Sequence, residues 1–156
     1  MLRLPRRLYE EIIAHGRRAY PKEACGIVAG PVGEEDHVVV QVYPMSNVED
    51  SPIGYAMDPR EQLSVEQSMR QRRQRMVGIY HSHTATEAYP SSVDVSLAIS
   101  PDVSYVLVSL RTDVVRLQRI PALIRHFLGL FFRPQVRSYR IDGTRITLED
   151  VMVGAS

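Results

Sequence analysis

Apolar and polar residues recur along this chain with two different periods, and the switches between them mark the elements. Leu8, Ile12 and Ala19 follow roughly helical spacing, and the helix they predict stops at Tyr20-Pro21, because the residue before a proline is disfavoured in helix. Apolar runs predict strands over 26–29 and 38–43, a loop over 44–52 and a short strand near 55–57. Asp58-Pro59-Arg60-Glu61 reads as an N-cap, a first-turn proline and a capping-box acid, so a second helix is expected from there to about Arg75. The run Met76-Val77-Gly78-Ile79-Tyr80 predicts a strand, followed by a loop over 84–90 that ends at Pro90 and a helix over 95–99 opened by Ser91-Ser92-Val93-Asp94. A β-branched strand is expected over 105–110, and a hairpin over 136–141 and 144–147 turning about Asp142-Gly143. The order predicts an α/β (α+β) fold, a mixed sheet flanked by two main helices.

The apolar run at 76–80 leads directly into His81-Ser82-His83. Residues two apart on a strand point to one face, so His81 and His83 aim at a common point while Ser82 turns away. Asp94, at the opening of the following helix, can swing back over the strand end as a third ligand. Two histidines and one carboxylate leave a fourth tetrahedral position open, which distinguishes a catalytic zinc site from a structural one. Glu23, in Lys22-Glu23-Ala24-Cys25-Gly26, is a candidate general base, and Ser91 a hydrogen-bond donor. These are the parts of a metal-dependent amide hydrolase.

Each part has a structural alternative. A histidine at a strand end is often only a packed or hydrogen-bonded residue, and Ser91-x-x-Asp94 fits a helix capping box. Capping leaves the paired histidines just upstream unexplained, and the conjunction favours a site. Glu87, in the loop after the histidines, is a second possible base, ranked below Glu23 because a mobile loop positions a proton acceptor poorly. Cys25, the only cysteine, shares a face with Glu23 in an extended segment, but reads as a small buried hydrophobe.

Glu23, His81, Ser82, His83, Ser91 and Asp94 match every position of the JAMM, or MPN-plus, metalloprotease signature: an upstream glutamate, His-x-His, seven residues, then Ser-x-x-Asp. The resemblance extends over about 8–141, and the string from His81 to Ser91 is similar to the small bacterial branch called Mec. It implies a single JAMM/MPN-like, cytidine-deaminase-like domain spanning residues 1–156. It implies one Zn2+ per chain held by His81, His83 and Asp94, with Glu23 moving the proton from water to the leaving amine and Ser91 donating to the oxyanion. The substrate it implies is a ubiquitin-like sulfur carrier protein ending in Gly-Gly, from which cysteine or a short peptide is released in cysteine biosynthesis. An isopeptidase acting on lysine conjugates, a non-catalytic MPN-type scaffold and a zinc hydrolase of small amides are the rival readings.

Composition narrows the setting. With 156 residues and 44% hydrophobic content the chain suits one domain with a real core, and a net charge of +1 gives no drive toward nucleic acid or membrane. A single cysteine excludes an intramolecular disulfide framework and favours the reducing cytoplasm. Arg3, Arg6, Arg7, Glu10 and Glu11 stand where a signal peptide would need an apolar core, so none is expected. Arg70, Arg72, Arg73 and Arg75 read first as a solvated helix end complementing the helix dipole, and second as a docking patch for an acidic partner. Residues 117–134 hold all three phenylalanines and look like an apolar insertion, too short and too interrupted by Arg125 and His126 to cross a bilayer. Packing on the domain or a homodimer contact is the expectation there; a membrane-surface contact and a cover over the substrate groove are the alternatives.

Overall fold

Strand β2 (Cys25–Pro31) is apolar on both faces and therefore needs cover on both. It lies inside a six-stranded sheet of order β4-β2-β5-β6-β7-β8, with β4 Gln41–Met45, β5 Gln74–His83, β6 Ser104–Ser109, β7 Gln135–Asp142 and β8 Arg145–Glu149. This computed structural model describes residues 1–111 and 134–154, so the insertion expected at 117–134 lies, but for Pro134, outside the described residues. Helix α1 (Arg6–Ala19) packs Leu8, Ile12 and Ile13 with Val28, Tyr80, Val106 and Val108 on one face. Helix α2 (Pro59–Gln71) packs Met69 and Val65 with Cys25, Ile27 and Ala29 on the other. The expected mixed sheet between two main helices is thus present. Among the described residues no helix is long and apolar enough to cross a membrane.

Among the described strands of this six-stranded sheet only β5 and β6 pair in parallel, joined through helix α3 (Ser92–Ser96), and the carboxyl end of β5 opens into that crossover. The preceding residue, Tyr80, lies across Gly26 of β2. A Cβ on Gly26 would sit 2.5 Å from the Tyr80 ring, so only glycine permits this approach. The Tyr80 hydroxyl meets His15 Nδ1 of α1 at 2.8 Å, anchoring the strand just before the His-x-His segment.

Several sequence expectations change in the folded chain. The strand predicted over 38–43 divides between two sheets. Strand β3 (His37–Val38) joins β1 (Leu2–Pro5) and β9 (Val151–Gly154) in a separate sheet of order β3-β1-β9, which the sequence did not suggest. The chain crosses at Val39, whose N–H bonds to Arg3, and Val40, whose N–H bonds to Ala29. The 55–57 strand reduces to one bridge between Asn47 and Met57. Asp58 caps α2 as expected, through the Arg60 and Glu61 amides, but Glu61 bonds Ser46 rather than closing a capping box. Helix α2 stops at Gln71, short of Arg75, because Arg73 takes a positive φ of 53° and turns the chain into β5. Arg75 therefore belongs to the sheet, where it donates to the Glu34 carbonyl. Helix α3 begins and ends earlier than the expected 95–99, since the Tyr105 hydroxyl accepts the Ile99 and Ser100 amides. The hairpin forms as predicted, with Gly143 at φ 56°.

Glu149 ties this framework together. Its Oε2 accepts from the Ser104 and Ser138 hydroxyls, both at 2.7 Å, and its Oε1 from Arg140 at 2.8 and 2.9 Å. Burial alone would raise its pKa, but these bonds outweigh it and hold the carboxyl below its usual range. A carboxylate with a depressed folded pKa stabilises the fold fully above its unfolded value, and that contribution is lost as pH falls through the folded one. Glu149→Gln is therefore expected to cost about 2 kcal/mol in denaturant unfolding at pH 7, with the gap to wild type narrowing as unfolding is repeated at steps below pH 4.

Candidate metal centre

The end of β5 carries His81 and His83 between β2 and β6, in register with Cys25 on one side and with Leu107 and Ser109 on the other. Both are buried, and both project toward the α2 face, as their two-residue spacing predicts. Their Nε2 atoms lie 3.0 Å apart. Asp94 closes the group, with Oδ1 3.1 Å from His81 Nε2 and Oδ2 3.5 Å from His83 Nε2. One ligand atom from each of the three residues fits within 4.8 Å of the others.

Secondary structure places each member. Asp94 is the N3 residue of α3, and its Oδ2 also accepts from the Ser91 N–H at 2.6 Å and the Ser91 hydroxyl at 2.7 Å. The Asp94 N–H returns a bond to Ser91 Oγ at 3.2 Å, so the capping box and the ligand cluster are the same residues. His83 Nδ1 donates to the Glu87 carbonyl at 2.8 Å, which sets the tautomer and leaves the Nε2 lone pair facing the cluster. His81 stacks on the Tyr55 ring at 4.6 Å, and its Nδ1 is buried without a hydrogen-bond partner. Burial keeps the His81 imidazole on the neutral side, whereas bonds to Asp94 and Glu87 raise His83 despite its burial. Burial would raise Asp94, but the two histidine rings and the Ser91 hydroxyl beside it hold it far below the carboxylate range. Converging imidazole lone pairs beside a carboxylate, with an outer bond fixing one ring, form a donor set suited to a divalent cation.

Glu23 lines the same cavity, of about 210 Å³, as His83, Ser91 and Asp94. Burial pushes its pKa up to about 7, with Asp94 and Glu49 adding to the rise and His83 opposing it. The strand clamps the glutamate's neighbour: Ala24 N–H donates to Ser82 Oγ at 2.8 Å, and Ser82 N–H donates to the Ala24 carbonyl at 2.9 Å. Ser82 thus faces away from the cluster, as predicted, and joins the Glu23 segment to the histidine strand. Ser91 lines the cavity, yet its hydroxyl is donated to Asp94 here, so it bridges cap and cavity.

The competitors resolve on geometry. The exposed Glu87 carboxylate pairs with Arg111 at 3.2 Å. Its loop is firmly held, contrary to the mobility expected, because Thr86, Glu87 and Ala88 carbonyls accept from Ser109, His83 and Tyr139 respectively. Cys25 is fully buried, and burial raises its thiol to about 12, so it packs as the sequence reading expected. Tyr55 and Asn47 were not foreseen: Tyr55 stacks on His81 from the segment expected only as a short strand, and Asn47 donates to the Glu23 carbonyl from the expected 44–52 loop.

Residues 5–121 match the family described as prokaryotic homologs of the JAB domain. The chain is 44% identical over 149 residues to the CysO-cysteine peptidase of Mycobacterium tuberculosis, covering 94% of this chain and 86% of that protein. A desampylase of Haloferax volcanii is 31% identical over 105 residues, 64% of this chain and 74% of that protein. A solution structure of a Desulfitobacterium hafniense protein superposes with a TM-score of 0.80 at 34% identity, over all of this chain and 94% of that one.

On equilibration with zinc, about one ion per chain is expected by plasma mass spectrometry. Asp94→Ala, prepared identically, is expected to retain well below a stoichiometric amount.

Proposed function

The chain belongs to the prokaryotic JAB-domain family, and on that premise we propose that it is a zinc-dependent peptidase. Its proposed reaction is hydrolysis of the amide bond after the C-terminal Gly-Gly of a ubiquitin-like sulfur carrier protein. The observation that carries this reading is a His81–His83–Asp94 cluster, with both histidines buried, whose His83 and Asp94 share one cavity with a glutamate whose proton affinity burial has raised. The CysO-cysteine peptidase relative supports release of cysteine as the product step. Cytoplasmic residence fits the lone, buried thiol of Cys25.

His81, His83 and Asp94 would hold the metal. When bound, zinc supplies Lewis acidity, polarising the scissile carbonyl and making water acidic enough to attack near neutral pH. Glu23 would take a proton from the attacking water and deliver it to the leaving amine nitrogen, tasks for which a pKa near 7 is well matched. Ser91 would turn its hydroxyl from Asp94 to the carbonyl oxygen as negative charge develops there. The small cavity favours glycine before the scissile bond, because a larger side chain would hold the carbonyl away from the cluster. Upstream residues of the tail could run along the open edge of β4, whose Pro44 and Met45 line a broader groove of about 940 Å³ that also meets Glu23.

A second reading, removal of the modifier from lysine, draws support from the desampylase relative. A scaffold role is disfavoured, since burying Glu23 and the paired histidines costs stability that docking alone would not require. Turnover of a carrier ending Gly-Gly-Cys faster than of the same carrier joined to lysine would support the first reading, and the reverse order the second. With the preferred substrate, Glu23→Gln is expected to lower kcat on the order of 1,000-fold while keeping its zinc. Ser91→Ala is expected to cost roughly 100-fold in stopped assays read by intact mass.

A further inference from the structure

The geometry points to Asn47 as the positioning residue for Glu23, acting by locking the 47–56 loop onto the backbone of the base. This inference rests on Glu23 serving as the base. The Asn47 carboxamide uses its full capacity of two donated and two accepted bonds. Its Nδ2 donates to the Glu23 carbonyl at 3.1 Å and to the Gly54 carbonyl at 3.0 Å. Its Oδ1 accepts from the Glu49 and Ala56 amides, both at 3.1 Å. One side chain therefore closes the loop upon itself and fastens it to the base.

The closed loop then grips Glu23 from its other end, because the Glu23 N–H donates to the Ser51 carbonyl at 2.9 Å. Lys22 pairs with Asp50 beside it. Asp50 holds a positive φ of 55°, a conformation that a non-glycine residue keeps only when its surroundings enforce it. The far side of the loop is held next to the end of the histidine strand by Thr84 Oγ1, which donates to the Pro52 carbonyl at 3.0 Å. With Ala24 clamped by Ser82, both peptide units around Glu23 are fixed, one pair of bonds by the loop and one by the strand. A glutamate so held keeps its carboxylate at one depth in the cavity. Only the loop pair depends on Asn47.

Two measurements on the full chain test this. In residue-resolved amide exchange of the zinc-loaded protein, Asn47→Ala is expected to lose protection at Glu23 by at least roughly tenfold while Ala24 keeps its own. Equal protection at Glu23 in variant and wild type would overturn the inference. In turnover of the carrier substrate, Asn47→Ala is expected to lower kcat roughly 10- to 100-fold with zinc stoichiometry intact, and to add little when made in a Glu23→Gln background. Losses that multiply in the double variant would mean that Asn47 acts elsewhere and would also overturn it. Should Asn47→Ala not fold, Asn47→Ser, which is uncharged and too short to reach both the Glu23 and Gly54 carbonyls, takes its place, and the same outcomes apply. Absence of turnover by wild type would defeat the peptidase reading alone, leaving amide exchange to decide the role of Asn47.

Discussion

Hydrogen-bonded pairing of β5 with β2 on one side and β6 on the other is the constraint on which the rest of the molecule depends. β2 holds the strand in the middle of the sheet as far as His81 and β6 as far as His83, so the two histidines leave the core with their directions already set. A histidine pair on a sheet edge or a loop would have to be oriented by side-chain contacts alone. Here the pleat aims the rings, the neighbouring strands exclude water, and the only freedom left is rotation about the side-chain bonds. The Glu87 carbonyl removes that freedom at His83, and the Tyr55 ring restricts it at His81.

Around this strand the chain assembles groups that would be costly to bury singly. Asp94 is tolerated because both histidine Nε2 atoms lie within 3.5 Å of its oxygens and Ser91 donates to it, and Glu23 because its raised pKa of about 7 lets it take up a proton when desolvated. The two carboxyls are pushed in opposite directions by different surroundings. Asp94 lies in a dense field of donors that favours its charge, whereas Glu23 sits where burial dominates and disfavours it. That divergence suits one carboxylate to ligation and the other to proton transfer. The polar network about Glu149 occupies a different part of the sheet and links β6, β7 and β8.

The site was largely legible in the sequence because its chemistry is carried by short-range spacing. The two-residue step from His81 to His83 needs only a strand, and the three-residue step from Ser91 to Asp94 needs only a helix start. Glu23 was named as a candidate base from its residue type and given its role by the resemblance; no spacing foretells its approach to the histidines, which depends on pairing between β2 and β5 far apart in the chain. What escaped notice depends on contacts made at a distance. The four-residue strands β1 and β9 lie at opposite ends of the chain and pair only in the folded state. The division of the 38–43 run between two sheets follows from competing hydrogen-bond partners at Val39 and Val40, which no local pattern encodes. Arg111 turning Glu87 outward, Tyr105 ending α3, and Asn47 closing its loop are of the same kind.

X-ray absorption at the zinc edge on the zinc-loaded protein tests the central claim most directly, because it reads which atoms surround the ion. An open site built from His81, His83 and Asp94 predicts two imidazole nitrogens and two oxygens at about 2.0 Å, with one nitrogen shell component lost in His83→Ala. A shell containing sulfur, four protein nitrogens, or a spectrum unchanged in His83→Ala would contradict it.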